Sequence, residues 1–421
     1  MHDHLIRNID NRLIWPRGLT IYGPTRGAAW EPPDLNALVG IFEHARELKV
    51  LEVHRCEEAI CCNTLVGEYL AALPDLSHIR LFDIEAKTSD VLHKMISYRP
   101  ETACLSLSIS ILDRHLLRIA EAAVLGSVKR LRLSNFQFGS TVSERQLISK
   151  LAGAYPQLEV LDLDLSAVYP CLILFPNIRR LTILSPQVGP QDPGRHVEQR
   201  HLDYVSVQPK YLRLIPALGI RSDYLRLTNE RQNFCPAEVD PEHVSAAAVL
   251  ELSLYQVERC TEFCMALAQT ISAKSSRIRY LIWTITTEDA HAAMTQWMEN
   301  VSPSLSSSQL CCIRVHVVHQ NNRGPSRETW LGLLQRLERV HISSIPSLRF
   351  YFQHVEGIDD QSKPSGPSKT TWGRVEGDGS DRAVQPIPSW QGERIHRYLQ
   401  SPEFCRTLQF DEEAALRRSG R

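Results

Sequence analysis

One short apolar pattern returns along most of this 421-residue chain. In the run Leu48-Lys49-Val50-Leu51-Glu52-Val53-His54-Arg55-Cys56 it reads L-x-x-L-x-L-x-x-C. The frame comes back as Leu76, Ile79, Leu81, then Val128, Leu131, Leu133, Phe136, then Leu158, Leu161, Leu163. It continues as Ile178, Leu181, Ile183, as Leu202, Val205, Val207, and as Val249, Leu252, Leu254, Val257. Ile278, Leu281, Trp283 and Leu310, Ile313, Val315, Val318 follow. Weaker copies fall at Leu19 and Ile21, Leu105 and Leu107, and Leu225 and Leu227, with a last one near Leu348 and Phe350. Successive starts, from 48 to 310, lie 20 to 32 residues apart. One match arises by chance in a chain with many leucines, but an ordered series at that spacing is a structural period. Periods of roughly 20–50 residues mean stacked supersecondary units, each too small to bury its apolar face alone.

Alternation inside each copy is an independent check, because every second side chain of a strand points the same way. The residue between the second and third apolar positions runs Thr20, Glu52, Arg80, Ser106, Arg132, Asp162, Thr182, Ser206, Arg226, Ser253, Ile282, Arg314. Only Ile282 breaks this polar column. Strands with one dry and one wet face are implied, since a sheet covered on both faces reads as unbroken apolar runs. Amphipathic helical segments lie between the copies. Asp34–Glu47 carries Leu35, Leu38, Ile41 and Phe42 on one face, with Asp34 as its cap. Thr88–Tyr98, Leu112–Val124, Val142–Tyr155, Cys260–Ile271, Thr287–Asn300 and Ser326–Val340 behave alike. The expected fold is therefore α/β: a leucine-rich-repeat solenoid of horseshoe type, with a parallel concave sheet and outer helices. It takes in residues 1–356 as about twelve irregular repeats, with strands near 19, 50, 79, 105, 131, 161, 181, 205, 225, 252, 281 and 313. Residues 357–389, rich in Gly, Pro, Ser and Asp, read as a disordered linker, and 390–421 as a short helical C-terminal segment.

Composition narrows function by exclusion. A net charge of −1 does not suit a globally basic nucleic-acid binder, so nucleic acid is not an expected partner. No apolar run reaches the roughly 18 residues of a membrane span, and Met1–Arg17 lacks the apolar centre of a signal peptide. A cytoplasmic or nuclear location without membrane contact is expected. The 11 cysteines agree with it: the adjacent pairs Cys61–Cys62 and Cys311–Cys312 are poor disulfide partners, and Cys260 and Cys264 lie one helical turn apart. The phosphate-binding, dinucleotide, nucleophile-elbow and zinc-helix motifs are all missing from the sequence. His2 and His4 read as a tail, His316 and His319 point to opposite faces of one strand, and Asp113 reads as a helix cap. No catalytic, metal-binding or cofactor-binding set is expected, and the chain is read as no enzyme.

The wet face is then the expected contact surface. Parallel strands lie about 4.8 Å apart, so equivalent positions in successive repeats are neighbours. Arg130 and Arg132 fall beside Val160 and Asp162, with Asp164 next along, while Arg80 and Arg226 occupy the same column elsewhere. Tyr204, Tyr224, Tyr255 and Tyr280 are expected to form an aromatic stretch of this surface. Arg and Tyr are favoured interface anchors. The plainer reading is a ladder of mutually compensated surface charges, each pair contributing little. Acidic residues interrupt the one-signed stripe that an RNA groove needs.

The segments Tyr155-Pro156-Gln157-Leu158-Glu159-Val160-Leu161-Asp162-Leu163 and Phe175-Pro176-Asn177-Ile178-Arg179-Arg180-Leu181-Thr182-Ile183 resemble fungal F-box/leucine-rich-repeat proteins, over roughly residues 12–355. In that family an N-terminal F-box recruits a ligase scaffold through an adaptor, and the repeats choose the substrate. The first repeat-like strand here begins near Arg17, so an F-box and its adaptor are expected only if coding sequence continues upstream of Met1. The resemblance implies a non-enzymatic protein–protein interaction scaffold, the substrate-recognition subunit of an SCF-type ubiquitin ligase. The second reading is a repeat-only inhibitor or sensor that wraps a protein partner without directing its degradation.

Overall fold

A computed structural model describes residues 17–24, 29–45, 47–73, 76–95, 99–107, 121–136, 153–187, 199–229, 241–255, 261–287, 290–319, 327–356 and 369–417, together with 119 and 151. The chain is an α/β protein that separates into two compact units, residues 1–195 and 196–421, where the repeat pattern alone draws one array through 356. The first unit runs β1 (Gly18–Ile21), α1 (Pro32–His44), β2 (Val50–Val53), α2 (Cys56–Cys62), α3 (Thr64–Ala72), β3 (His78–Ile84), α4 (Ala86–Lys94), β4 (Thr102–Leu107), β5 (Arg130–Ser134), β6 (Val160–Ala167), α5 (Val168–Leu174) and β7 (Arg180–Gln187). Each of these strands pairs in parallel with the next in sequence. The second unit runs β8 (Arg200–Val207), α6 (Leu214–Ala217), β9 (Ile220–Asn229), α7 (Pro241–Ser245), β10 (Val249–Tyr255), α8 (Thr261–Ser272), β11 (Tyr280–Thr287), α9 (Ala290–Gln296), β12 (Cys312–His319), α10 (Arg327–Ser344) and β13 (Phe350–Glu356). These strands are again parallel in sequence order. The antiparallel strands β14 (Lys369–Glu376) and β15 (Ala383–Pro386) follow, then α11 (Ser389–Leu399), α12 (Pro402–Thr407) and α13 (Glu412–Leu416).

In the first unit the dry positions line up strand by strand. Leu51 and Val53 meet Ile79 and Leu81, then Ala103 and Leu105, Leu131 and Leu133, Leu161 and Leu163, and Leu181 and Ile183, all buried. The fourth copy therefore slips by two residues from its sequence reading. Cys104, not Ser106, stands between Arg80 and Arg132, and Ser106 faces Ser134. A slip of two keeps every side chain on its face, so the alternation cannot reveal it. The same slip occurs in β10, where Glu251 rather than Ser253 sits between Arg226 and Ile282. Helix α1 also starts earlier than read: Pro32 and Pro33 occupy its first turn, where a missing N–H costs nothing, and Asp34 lies inside that turn, not at the cap. Most of the segments expected to be helical at 112–124 and 142–155 lies outside the described residues.

Successive repeats are tied by a carboxylate. Glu57 on α2 accepts from the backbone N–H of Glu85 at 3.0 Å, Lys87 at 2.8 Å and Thr88 at 2.8 Å, and from the Thr88 hydroxyl at 2.8 Å. These are the orphan donors at the start of α4, whose own cap residue Glu85 makes no side-chain cap bond. Glu57→Ala is expected to lower the first unit's stability by about 1–3 kcal/mol, since the half-buried donors lose a charged acceptor. Denaturant midpoints measure it, and Glu57→Gln, which keeps one acceptor oxygen, should fall between.

The second unit buries both faces of its sheet over β10 to β13. One face holds Leu250, Leu252, Leu281, Trp283, Ile285, Ile313, Val315, Val317 and Tyr351, with Trp283 stacked on Trp297 at 3.8 Å between ring centroids. The other holds Val249, Tyr280, Ile282, Cys312, Phe350 and Phe352, packed against Trp372, Ile395, Tyr398, Leu399, Phe404, Cys405 and Ala415 of the C-terminal segment. The wet face expected here is thus largely covered, with Glu251, Ser253, Arg314, His316 and His354 still partly exposed, and Ile282 lies where the segment docks. The expected disordered linker needs the same correction. Residues 357–368 lie outside the described residues, but 369–386 form the β14–β15 hairpin. Two residues hold it in place despite its polar composition. Trp372 packs into the cluster, and the Arg382 guanidinium donates to the Ile342, Ile345 and Leu348 carbonyls at 2.7, 2.9 and 2.6 Å, capping the end of α10.

Candidate functional site

The polar face of the first unit is built by register. Thr20, Glu52, Arg80, Cys104, Arg132, Asp162 and Thr182 form one column across β1 to β7. Arg130 and Arg132 do lie beside Val160 and Asp162, with Asp164 opposite Ser134. The ion pairs run diagonally, however: Arg130 to Asp162 at 3.0 Å and Arg132 to Asp164 at 3.9 Å, with Arg80 to Glu52 at 3.1 Å directly across. The two signs sit at different depths. The side chains of Arg80, Arg130 and Arg132 are 54%, 59% and 48% exposed, against 17%, 13% and 29% for Glu52, Asp162 and Asp164. Carboxylates below therefore hold guanidinium groups that stand towards solvent.

An aromatic ladder borders this column. Tyr22 and His54, each one residue past the end of β1 and β2, stack in turn with Phe82 of β3, with ring centroids 5.0 and 4.3 Å apart. His54 Nε2 donates to Glu52 Oε1 at 2.8 Å, which fixes the imidazole between its neighbours. That hydrogen bond, with Arg80 beside it, holds the Glu52 carboxyl below the ordinary range against the opposing effect of burial. Tyr22, at 74% exposure, leaves one ring face open. None of the ladder was evident from the repeat frame, because its members lie two residues beyond the column that the frame singles out. The signal was available in the period-2 continuation from Glu52 to His54 and from Arg80 to Phe82.

The second unit treats its four tyrosines differently. Tyr204 and Tyr224 do neighbour each other, at 5.0 Å between centroids. The Tyr224 hydroxyl donates to Glu251, and Arg226 Nε pairs with the same carboxylate at 3.2 Å. Burial, then the Glu251 charge, raises the Tyr224 phenol well above its usual range. Tyr280 belongs to the same register column but is fully buried under the C-terminal segment, so it is no surface residue. Tyr255 pairs in register with Thr286 at the far end of β10, out of that column, and its side chain lies outside the described residues. Over Tyr280 sits His396 of α11: Arg314 donates to its Nε2 at 2.7 Å, so its Nδ1 carries the proton and donates to the Tyr280 hydroxyl at 2.6 Å. Burial, then the Arg314 and Arg397 charges, lowers the His396 imidazole to about 3.

Among the described residues no three His, Cys, Asp or Glu side chains converge as a metal site, and no helix is long and apolar enough to cross a membrane. His316 faces His354 on the next strand, with centroids 4.6 Å apart, while the side chain of His319 lies outside the described residues. What the first unit's face can do is present fixed cations and an open aromatic ring to something laid across the strands. Neither any protein family model nor any curated protein matches this chain.

Proposed function

We propose that the chain is a non-enzymatic leucine-rich-repeat scaffold that takes a protein partner on the polar face of its first unit. The observation that carries this reading is the pre-positioned row of exposed guanidinium groups over recessed carboxylates, beside the open Tyr22 ring. Side chains already held in place lose less entropy on binding, and Arg and Tyr contribute most of the energy at protein interfaces. The parallel strands of the first unit, each paired with the next in sequence, support such use, as does the resemblance of the repeats to F-box/leucine-rich-repeat proteins. On that resemblance, the partner is the substrate of an SCF-type ubiquitin ligase, and the chain is a cytoplasmic or nuclear recognition subunit.

The test is retention of partners from the native cell by the full chain and by Arg80→Glu/Arg132→Glu. Reversing two exposed charges is expected to reduce a specific partner about tenfold or more while leaving the melting temperature close to that of the parent. Equal retention by both forms would place recognition elsewhere. Recovery of a ligase scaffold and adaptor supports the ligase version. A stoichiometric partner whose activity is blocked, with no adaptor, favours the inhibitor reading instead.

A further inference from the structure

The partner's chemistry is written in the depth at which the charges sit. Three guanidinium groups rise around a low point in the first unit's face: Arg80 on β3, with Arg130 and Arg132 on β5. Between the two strands, β4 contributes only Thr102 and Cys104 to this part of the face, side chains too short to reach the height of an arginine. Strands two apart are separated by about 9.6 Å, a gap that one carboxylate on an extended chain can bridge with a hydrogen bond to either side. The carboxylates of the face do not fill it. Glu52 lies beside Arg80, and Asp162 and Asp164 lie on the far side of β5, each at the base of its own arginine.

We infer, on the scaffold reading above, that this face takes an acidic peptide segment of its partner, one carboxylate seated over Cys104 between Arg80 and Arg132 with Arg130 alongside. The sign of the local field supports it independently of exposure. At the Cys104 thiol, which burial pushes up, Arg132 and Arg80 each pull down more strongly than Glu52 or Asp162 pushes up. An anion arriving from solvent meets the cations first and the carboxylates only behind them. A basic segment meets the reverse order and is repelled.

Binding of labelled oligoglutamate to the full chain tests this, with oligolysine, a single-stranded RNA oligonucleotide and anionic phospholipid vesicles as competing probes. Oligoglutamate is expected to bind saturably, more weakly at higher salt, and oligolysine not at all. Cys104→Asp supplies the missing carboxylate from within and is expected to weaken oligoglutamate about tenfold, whereas Cys104→Ser leaves it unchanged. Arg80→Gln/Arg132→Gln, which inserts nothing at the half-buried position, should weaken it as much and guards against misfolding of the aspartate variant. Oligoglutamate affinity that ignores both Cys104→Asp and Arg80→Gln/Arg132→Gln overturns the proposal. Preferential binding of RNA or vesicles through the same arginines overturns it as well. If oligoglutamate does not bind while the native partner is still lost on Arg80→Glu/Arg132→Glu, the acidic partner is wrong and the scaffold reading stands. Loss of neither removes both.

Discussion

Alanine at position 404 is expected to lower the stability of the second unit by about 3–5 kcal/mol, the usual cost of emptying a buried Phe site. Phe404 is fully buried on α12 and packs against Tyr398 at 5.9 Å between ring centroids, inside the cluster that also holds Val249, Ile282, Phe350 and Phe352. The cavity would open between the C-terminal helices and the sheet face that they cover together with Trp372 of β14, so the loss reaches β10 to β13 and not the helices alone. Gly392 shows how closely the segment fits: a Cβ there would lie 2.3 Å from the Trp372 ring. Hydrogen exchange locates the effect. Protection should fall in β10–β13 and α11–α13 and stay unchanged in β2–β5, and a uniform fall across both units would show that this cluster is not the second unit's own core.

How far the sequence could be read follows from which signals are local. Strands β1 to β12 contain residues 19, 50, 79, 105, 131, 161, 181, 205, 225, 252, 281 and 313, because a period-2 apolar pattern is visible within each strand by itself. Register is set between strands. The two-residue slips at Cys104 and Glu251 left the alternation intact and so could not be seen in it. Burial of the second unit's polar face is less local still, since Tyr280 and Phe404 lie more than a hundred residues apart. One clue was present: Ile282 as the sole apolar member of the column read from sequence, flanked in the structure's register by Glu251 and Arg314. An isolated apolar residue on a wet face is ordinary, which is why it pointed to nothing until Trp372 and Ile395 were seen against it. The Gly- and Ser-rich stretch around the β14–β15 hairpin misled for the opposite reason. Average composition governs disorder only where no single side chain finds a deep site, and Trp372 and Arg382 both do.

The arginines of the first unit were legible as a column but not as a surface. Sequence shows mixed signs at Glu52, Arg80, Arg132 and Asp162, which reads as self-compensation. Depth, which decides what an approaching ligand meets, depends on side-chain length and pairing direction. Aspartate reaches about three bonds less far than arginine from the same sheet, so in a mixed ladder of these residues the outer layer is cationic even where the net charge is near zero. This same geometry makes the exposed pairs poor contributors to stability and leaves their arginines available for recognition.

Acid is expected to loosen the second unit in a window set by two buried histidines. His341 is fully buried on α10, where its Nε2 accepts from Trp297 Nε1 at 3.0 Å and its Nδ1 faces the Tyr351 hydroxyl at 3.4 Å. Burial lowers it to about 3, as it does His396, which is further opposed by Arg314 and Arg397. In the unfolded chain both titrate near about 6.5. Between those values the unfolded state binds protons that the folded state does not, so stability is whole above about pH 6.5 and falls as pH drops towards 3. At pH 5 the fully enclosed His341 alone has cost about 2 kcal/mol relative to pH 7, at about 1.4 kcal/mol per pH unit, and His396, lowered to the same value, adds a comparable amount. The carboxylate Glu52 lies in the first unit and is held below the ordinary carboxylate range, so its loss belongs to a lower pH and to a different transition. Urea midpoints of the second unit at pH 7 and pH 5 measure the slope. His396→Gln, which keeps a donor and an acceptor near Tyr280 and Arg314 without a titrating ring, should flatten it in part, leaving the share due to His341. A second unit equally stable at both pH values would mean that these imidazoles take up protons in the fold as readily as in the unfolded chain.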